Sequence, residues 1–389
     1  MLFPLLATTL MLSAQTVPGT NGLRFVPTMS CRLADVQITQ GQTRVIPVRQ
    51  GGCLITPGAR AYALRITVSP DTAALGYLTV FPTGRPRPLA STLNSWDGRI
   101  VTNAAIIEAG EGDNISVYAS DSTFVTIELN GHFLPREHPA SGLSFYRLDP
   151  CRLVDTRGNP RIAMVGPMEH TIAARDRCGL PPEAVAYSLN LTVVPENPAL
   201  LETTIYPAGH VRPNTPSLIT IERQVVSSAA IVEAGQDGKI NVYGTQGHDV
   251  VLDINGYFAP AGHFGALMYR PVNPCRIADT RSGASLGTGD TRVFPVRGLC
   301  NVPQDADVFA FNTTAVPPGP LGFVTFWPAY FPQPFVSTLN APTGQVTANM
   351  ALVPVGLSGS IAAYSSNPTH LVLDINGYFV RDRPPTITQ

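Results

Sequence analysis

The sequence predicts an all-β protein made of three tandem antiparallel β-sandwiches, immunoglobulin-like or jelly-roll, each closed by its own disulfide. Three observations predict it. An opening phrase occurs three times, as Cys31-Arg32-Leu33-Ala34-Asp35, Cys151-Arg152-Leu153-Val154-Asp155-Thr156-Arg157 and Cys275-Arg276-Ile277-Ala278-Asp279-Thr280-Arg281, and a closing phrase answers each. The closing phrases are Ile127-Glu128-Leu129-Asn130-Gly131-His132-Phe133, Leu252-Asp253-Ile254-Asn255-Gly256-Tyr257-Phe258 and Leu373-Asp374-Ile375-Asn376-Gly377-Tyr378-Phe379. Between the two phrases, apolar and polar residues alternate in short runs, the period of half-buried strands rather than of helices. Finally, each copy holds two cysteines: Cys31 and Cys53, Cys151 and Cys178, Cys275 and Cys300.

The opening cysteines stand 120 and then 124 residues apart. That is enough chain for a domain with its own core, and far more than the roughly 20–50 residues of a solenoid or propeller repeat. The units run over 25–134, 145–259 and 268–380. The joints Pro135 to Leu143 and Ala259 to Leu267 are too short for free tumbling, so neighbouring units touch, either in a rigid rod or in a compact pseudo-threefold block. The 34 glycines and 37 prolines among 389 residues exceed the usual combined share of about 12%, as a turn-rich β chain requires. Charged residues make up 14% of the chain and the formal net charge is −1. Such a chain has no long-range field to draw in nucleic acid or anionic lipid.

Residues 1–14, MLFPLLATTLMLSA, are too short to span a bilayer, which needs about 20 apolar residues, and match the apolar region of a secretory signal. No Lys or Arg precedes Arg24, so the usual basic start is missing. No other stretch is long and apolar enough for a membrane span. The cysteines point to export independently. A threefold repeat selects the pairing in which every copy closes its own bond, each stabilising by about 3 kcal/mol in the chain-entropy account. Zinc is the competing reading, but it wants four close ligands, and neither a C-x-x-C pair nor a partner histidine recurs.

In each unit the opening phrase is a strand. Next comes an alternating run, Ala61 to Val68, Ala186 to Val193 or Phe309 to Val316, that stops at Pro70, Pro195 or Pro317. The following runs, Tyr77 to Pro82, Glu202 to Pro207 and Phe323 to Pro328, read as strands pairing back on these in a hairpin. Further strands are expected at Asn103 to Glu108, Ser228 to Glu233 and Asn349 to Pro354, then at Ile115 to Tyr118, Ile240 to Tyr243 and Ile361 to Tyr364. The closing phrase completes about seven or eight strands per unit, which indicates a sandwich.

The opening phrase places Arg152, Asp155 and Arg157, and equally Arg276, Asp279 and Arg281, where carboxylate and guanidinium can pair bidentately in a structural clamp. The first copy keeps only Arg32 and Asp35. An anion site between two arginines is the alternative. Asp253-Ile254-Asn255-Gly256 and its third-copy equivalent match a calcium loop poorly, because the six-ligand pattern is absent; Asn-Gly there reads as a positive-φ turn or bulge beside core-anchoring Tyr257-Phe258. Phe81, Tyr206 and Trp327, each before a proline, with Arg87 and Arg212, could form a sugar-stacking surface at the hairpin end, though packing within the sandwich is the simpler reading. The seven histidines share no common position, and no nucleophile elbow, metalloprotease helix motif or phosphate loop is present. No catalytic residue, metal site or cofactor is therefore expected. The Asn-x-Ser/Thr sequons at Asn114, Asn190 and Asn312 read as strand composition.

Taken together, the Pro-Cys-Arg-Leu-Val-Asp-Thr-Arg opening and the Leu-Asp-Ile-Asn-Gly-Tyr-Phe ending resemble a repeat domain of secreted and cell-surface proteins of actinobacteria and acidobacteria, over most of 25–380. The resemblance implies an extracellular accessory or tandem β-module without an activity of its own. The expectation is a secreted, non-catalytic structural or adhesive protein that associates with itself or with other surface proteins in a fibre or surface layer, with Gln15 to Arg24 or the tail available for strand addition. A carbohydrate-binding module, and a hydrolase with a site at a domain junction, are the alternatives.

Overall fold

The computed structural model describes residues 22–71, 74–140, 142–158, 167–175 and 177–382; the expected signal segment 1–14 lies outside them. The first unit contains β1 (Leu23–Ile38), β2 (Thr43–Ile46), β3 (Ala61–Pro70), β4 (Leu75–Pro82), β5 (Leu93–Ser95), β6 (Val101–Glu108), β7 (Ile115–Ala119) and β8 (Thr123–Pro135). The second contains β9 (Ser144–Asp155), β10 (Met168–Ala173), β11 (Ala186–Pro195), β12 (Leu201–Pro207), β13 (Leu218–Thr220), β14 (Val226–Glu233), β15 (Lys239–Gly244) and β16 (His248–Ala259). The third contains β17 (Leu267–Asp279), β18 (Thr291–Pro295), β19 (Ala306–Val316), β20 (Leu321–Pro328), β21 (Leu339–Ala341), β22 (Thr347–Pro354), β23 (Ser360–Ser365) and β24 (His370–Arg381). Among the described residues the only helical pieces are three-residue 3₁₀ turns, and no helix is long and apolar enough to cross a membrane.

Pairing resolves the choice between the two sandwich types. In the first unit β1 pairs with β8, β2 with β7, β3 with β6 and β4 with β5, all antiparallel. That is one long double ribbon, and it rolls up when β3 also pairs with β8 and β4 with β7. The product is an inner sheet β1-β8-β3-β6 facing an outer sheet β2-β7-β4-β5, the jelly-roll arrangement. The second and third units repeat every pairing. The expected hairpin between β3 and β4, and likewise β11 with β12 and β19 with β20, is therefore corrected. Proline ends the inner-sheet strand, since it cannot continue a ladder, and the chain crosses to the outer sheet instead of turning back beside its predecessor.

Each sandwich has its own core, drawn from both sheets; in the first unit Ile66, Val68, Ile127 and Leu129 meet Leu78, Val80, Ile115 and Val117. Cys31–Cys53, Cys151–Cys178 and Cys275–Cys300 are bonded, with no free cysteine. Each disulfide ties the opening strand to the chain between the second and third strands of its own unit.

A fourth core lies between the units. The starts of the opening strands pair with one another: Leu23 with Tyr269, Leu267 with Phe145, and Phe25 with Leu143. This stitches the three inner sheets into one twelve-stranded sheet wrapped about a pseudo-threefold axis. Phe25, Phe133, Phe145, Phe258, Tyr269 and Phe379 fill the axis, with neighbouring ring centroids 4.4–5.1 Å apart. Small residues facing it, Ala61, Ala63, Ala104, Ala186, Ala229 and Ala310, let the sheets approach. Of the two arrangements left open by the joints, the block is the one formed.

Candidate functional site

The recurrent polar residues converge on the seams between units. The opening and closing phrases lie on neighbouring strands, and their register sets Arg152 opposite Asp253 and Arg276 opposite Asp374. Arg276 gives Nε and Nη2 to Asp374 at 2.8 and 3.1 Å and Nη1 to Asp279 at 3.0 Å, while Arg281 grips Asp279 from the other side at 2.9 and 2.6 Å. Arg152, Asp155, Arg157 and Asp253 repeat this chain. Such paired, bidentate charge-assisted bonds are the strong kind. The Arg281 hydrogen bonds hold the Asp279 carboxyl well below the usual carboxylate range, and the Arg157 hydrogen bonds lower that of Asp155. Burial raises the Asp253 and Asp374 carboxyls against the pull of their arginines.

Asp253 and Asp374, which match a calcium loop poorly, are thus the inner members of the clamp. An acid recurring in every closing phrase was the signal for them. With arginine on both oxygens, neither carboxylate is open to calcium, and no cluster of potential metal ligands occurs among the described residues. In the first unit Arg32 bonds Asp35 at 2.7 Å, and the inner acid Glu128 is taken by Arg65 from β3, Nε to Oε2 at 2.6 Å.

A second set of residues locks each unit to the next. Asn103 donates to Thr92 O of its own unit and to Asn312 Oδ1 of the third, and accepts from Met350 N. Asn349 acts in the same way on Thr338 O, Asn190 Oδ1 and Ala229 N. Asn312 and Asn190 then donate to Ser91 O and Ser337 O, in the loop between the fourth and fifth strands of the neighbouring unit. These two sequon asparagines are buried in the seams. At the remaining seam Ser228 and Arg65 occupy the equivalent positions, and Arg65 reaches Ser217 and Thr215 of the second unit.

The stacking surface expected at Phe81, Tyr206 and Trp327 does not form. All three are buried on inner strands of the outer sheets, and Trp327 Nε1 bonds Phe331 O of the following loop at 2.9 Å. Arg87 and Arg212 instead cover the rings of Tyr118 and Tyr243, 3.7 and 3.6 Å from the centroids. The Asn-Gly expectation is half corrected. The bulge is present, at Asn255 between Ile254 and Gly256, but Gly131, Gly256 and Gly377 do not take positive φ. Glycine is needed there because a Cβ would overlap the axial rings of Phe25, Phe145 and Tyr269. Of the segments expected to be free for strand addition, Arg24 belongs to β1 and pairs with Asp382 at 2.6 Å; 15–21 and 383–389 lie outside the described residues.

Between the second and third units a cleft of about 280 Å³ is lined by Arg152, Arg157, Thr192, Val251, Phe323 and Phe335 among others.

The fold and its seams define a class: a single-chain pseudotrimer of disulfide-closed jelly rolls. Comparison with protein-family models and with curated proteins found no match to this chain.

Proposed function

We propose that the chain is an exported, non-catalytic structural or adhesive protein that acts as a rigid three-lobed block in an extracellular assembly. One observation carries the reading: the polar side chains that recur in the units hold strands and units together, as in Arg152–Asp253, Arg276–Asp374 and the Asn103 and Asn349 locks. Side chains in such networks are rigidifying rather than reactive. Three disulfides suit an oxidising compartment. The outer-sheet edges β2, β10 and β18 each pair on one side only among the described strands, and an unpaired edge is a template for another strand. Sedimentation and electron microscopy of the mature protein at high concentration test this reading. Filaments, sheets or larger oligomers are expected, whereas a lone particle that persists at high concentration would count against assembly.

A further inference from the structure

The three seams are built alike and end differently. In each, the loop after the fourth strand lies against the neighbouring unit. Leu89, Asn214 and Phe335 are equivalent positions of these loops. At the seam of the first unit with the third, Leu89 O accepts from Arg276 Nη2 at 3.3 Å. At the seam of the second with the first, Thr215 accepts from Arg65. Where the loop of the third unit meets the second, Phe335 stands over Arg152 with the guanidinium carbon 5.6 Å from the ring centroid, and the cleft opens beneath it. Phe335 is 91% exposed, an apolar ring held in solvent beside a cavity.

The chemistry of the lining limits what can enter. Arg152 and Arg157 are matched by Asp155 and Asp253, so the site is neutral and has no attraction for an anion or a cation. Its apolar wall is Val194, Val225, Val251 and Phe323. Its rim carries the Gln333 amide, the Ser337 hydroxyl and the half-exposed Arg157 guanidinium. Thr192, Val194 and Val251 lie on β11 and β16, and β11 is paired on both sides, so no free strand edge is offered to a peptide backbone. What remains is an aromatic face for C–H groups, flanked by hydrogen-bonding groups for hydroxyls, in a volume at the small end of ligand sites.

We propose that this cleft binds a short segment of a neutral carbohydrate chain, one ring lying on Phe335 and its hydroxyls meeting Gln333, Ser337 and Arg157. The inference stands apart from the scaffold reading: a block that assembles but ignores sugars, or a lone particle that binds them, separates the two.

The test is saturation-transfer NMR and calorimetry on the whole protein with neutral gluco-, manno-, xylo- and chito-oligosaccharides. Binding to at least one series is expected, insensitive to salt. Phe335→Ala should weaken it about tenfold or more, while Phe335→Trp keeps it and Leu89→Ala, at the equivalent loop, leaves it unchanged. Because Phe335 is exposed, the melting temperature of Phe335→Ala should match the wild type, which separates lost binding from lost folding. Absence of binding to every series at millimolar sugar would overturn the proposal. So would binding untouched by Phe335→Ala, or a proline-rich peptide that binds where the sugars do not.

Discussion

His132 puts an imidazole, whose charge changes near neutral pH, at the closing-phrase position where Tyr257 and Tyr378 stand in the other units. Burial lowers its imidazole to about 4, with Arg49 and His138 adding to the effect, and the neutral ring accepts a hydrogen bond from Thr56 N at 3.2 Å. In the unfolded chain the value is about 6.5. Because the folded value is the lower one, His132 contributes stability that is fully present above pH about 6.5 and is lost as pH falls through about 4, on the order of 3 kcal/mol in all. Melting curves of His132→Tyr across that window should fall less steeply than those of the wild type; His248, also held down by burial, remains in both. Equal slopes would show that another group is responsible. The clamp gives a second prediction. Asp374 is fully buried and Asp35 is a third exposed, so Asp374→Asn should cost about 3 kcal/mol, as breaking a buried pair does, and Asp35→Asn no more than about 1 kcal/mol. Denaturant titration compares them, and similar losses would remove the distinction between inner and outer acids. Arg152, Asp155 and Arg157 were legible as partners because they are neighbours in the chain. Asp253 and Asp374 were not, since their partnership exists only once strand register is fixed.

Gly256 is the clearest case in which an element fixes a residue from outside its own strand. It lies on β16 beside the bulge at Asn255, and the Phe145 ring from β9 fills the space where a Cβ would stand. That ring is packed against Phe258 and Phe379 on the axis, so it has nowhere to move. Gly256→Ala should therefore destabilise by about 1–3 kcal/mol or more, the cost of overpacking, and adding Phe145→Leu should recover part of the loss. Non-additive melting temperatures of the two variants and their combination are the measurement; simple additivity would mean that the ring is not what excludes the methyl. From the sequence Asn-Gly carries only its local turn meaning. The ring that demands the glycine lies over 100 residues away in the chain. Alternation likewise located β3 and β4 but not the sheets that hold them, because a period of two reports two faces without naming the neighbour. The edge strands β2 and β5, with their counterparts in the other units, span only three to six residues, too few for periodicity to register.

At the scale of the whole molecule, the repeat revealed three units and the short joints required them to touch. The axis itself was not legible. Its residues Phe25, Phe145 and Tyr269 precede the recurrent opening phrase, and their alanine counterparts read as ordinary strand positions until three copies face one another. Cut apart, each unit would expose two axial rings and an alanine face, so the units are domains by core but parts of one body by surface. The polar locks follow the same logic: Asn103, Asn349 and Arg65 each span a different seam, first to third, third to second and first to second, which closes a ring of seams. A ring of three interfaces does not depend on chain continuity, since breaking one joint leaves all three seams in place. A protease site inserted in the exposed joint near Glu137–Ala140 should thus be cleaved without releasing the first unit. The nicked protein should keep the elution volume of the intact chain and melt in one transition, and its fragments should part only in denaturant. Separation on cleavage under native conditions would show that the joints, rather than the aromatic axis and its seams, hold the block together.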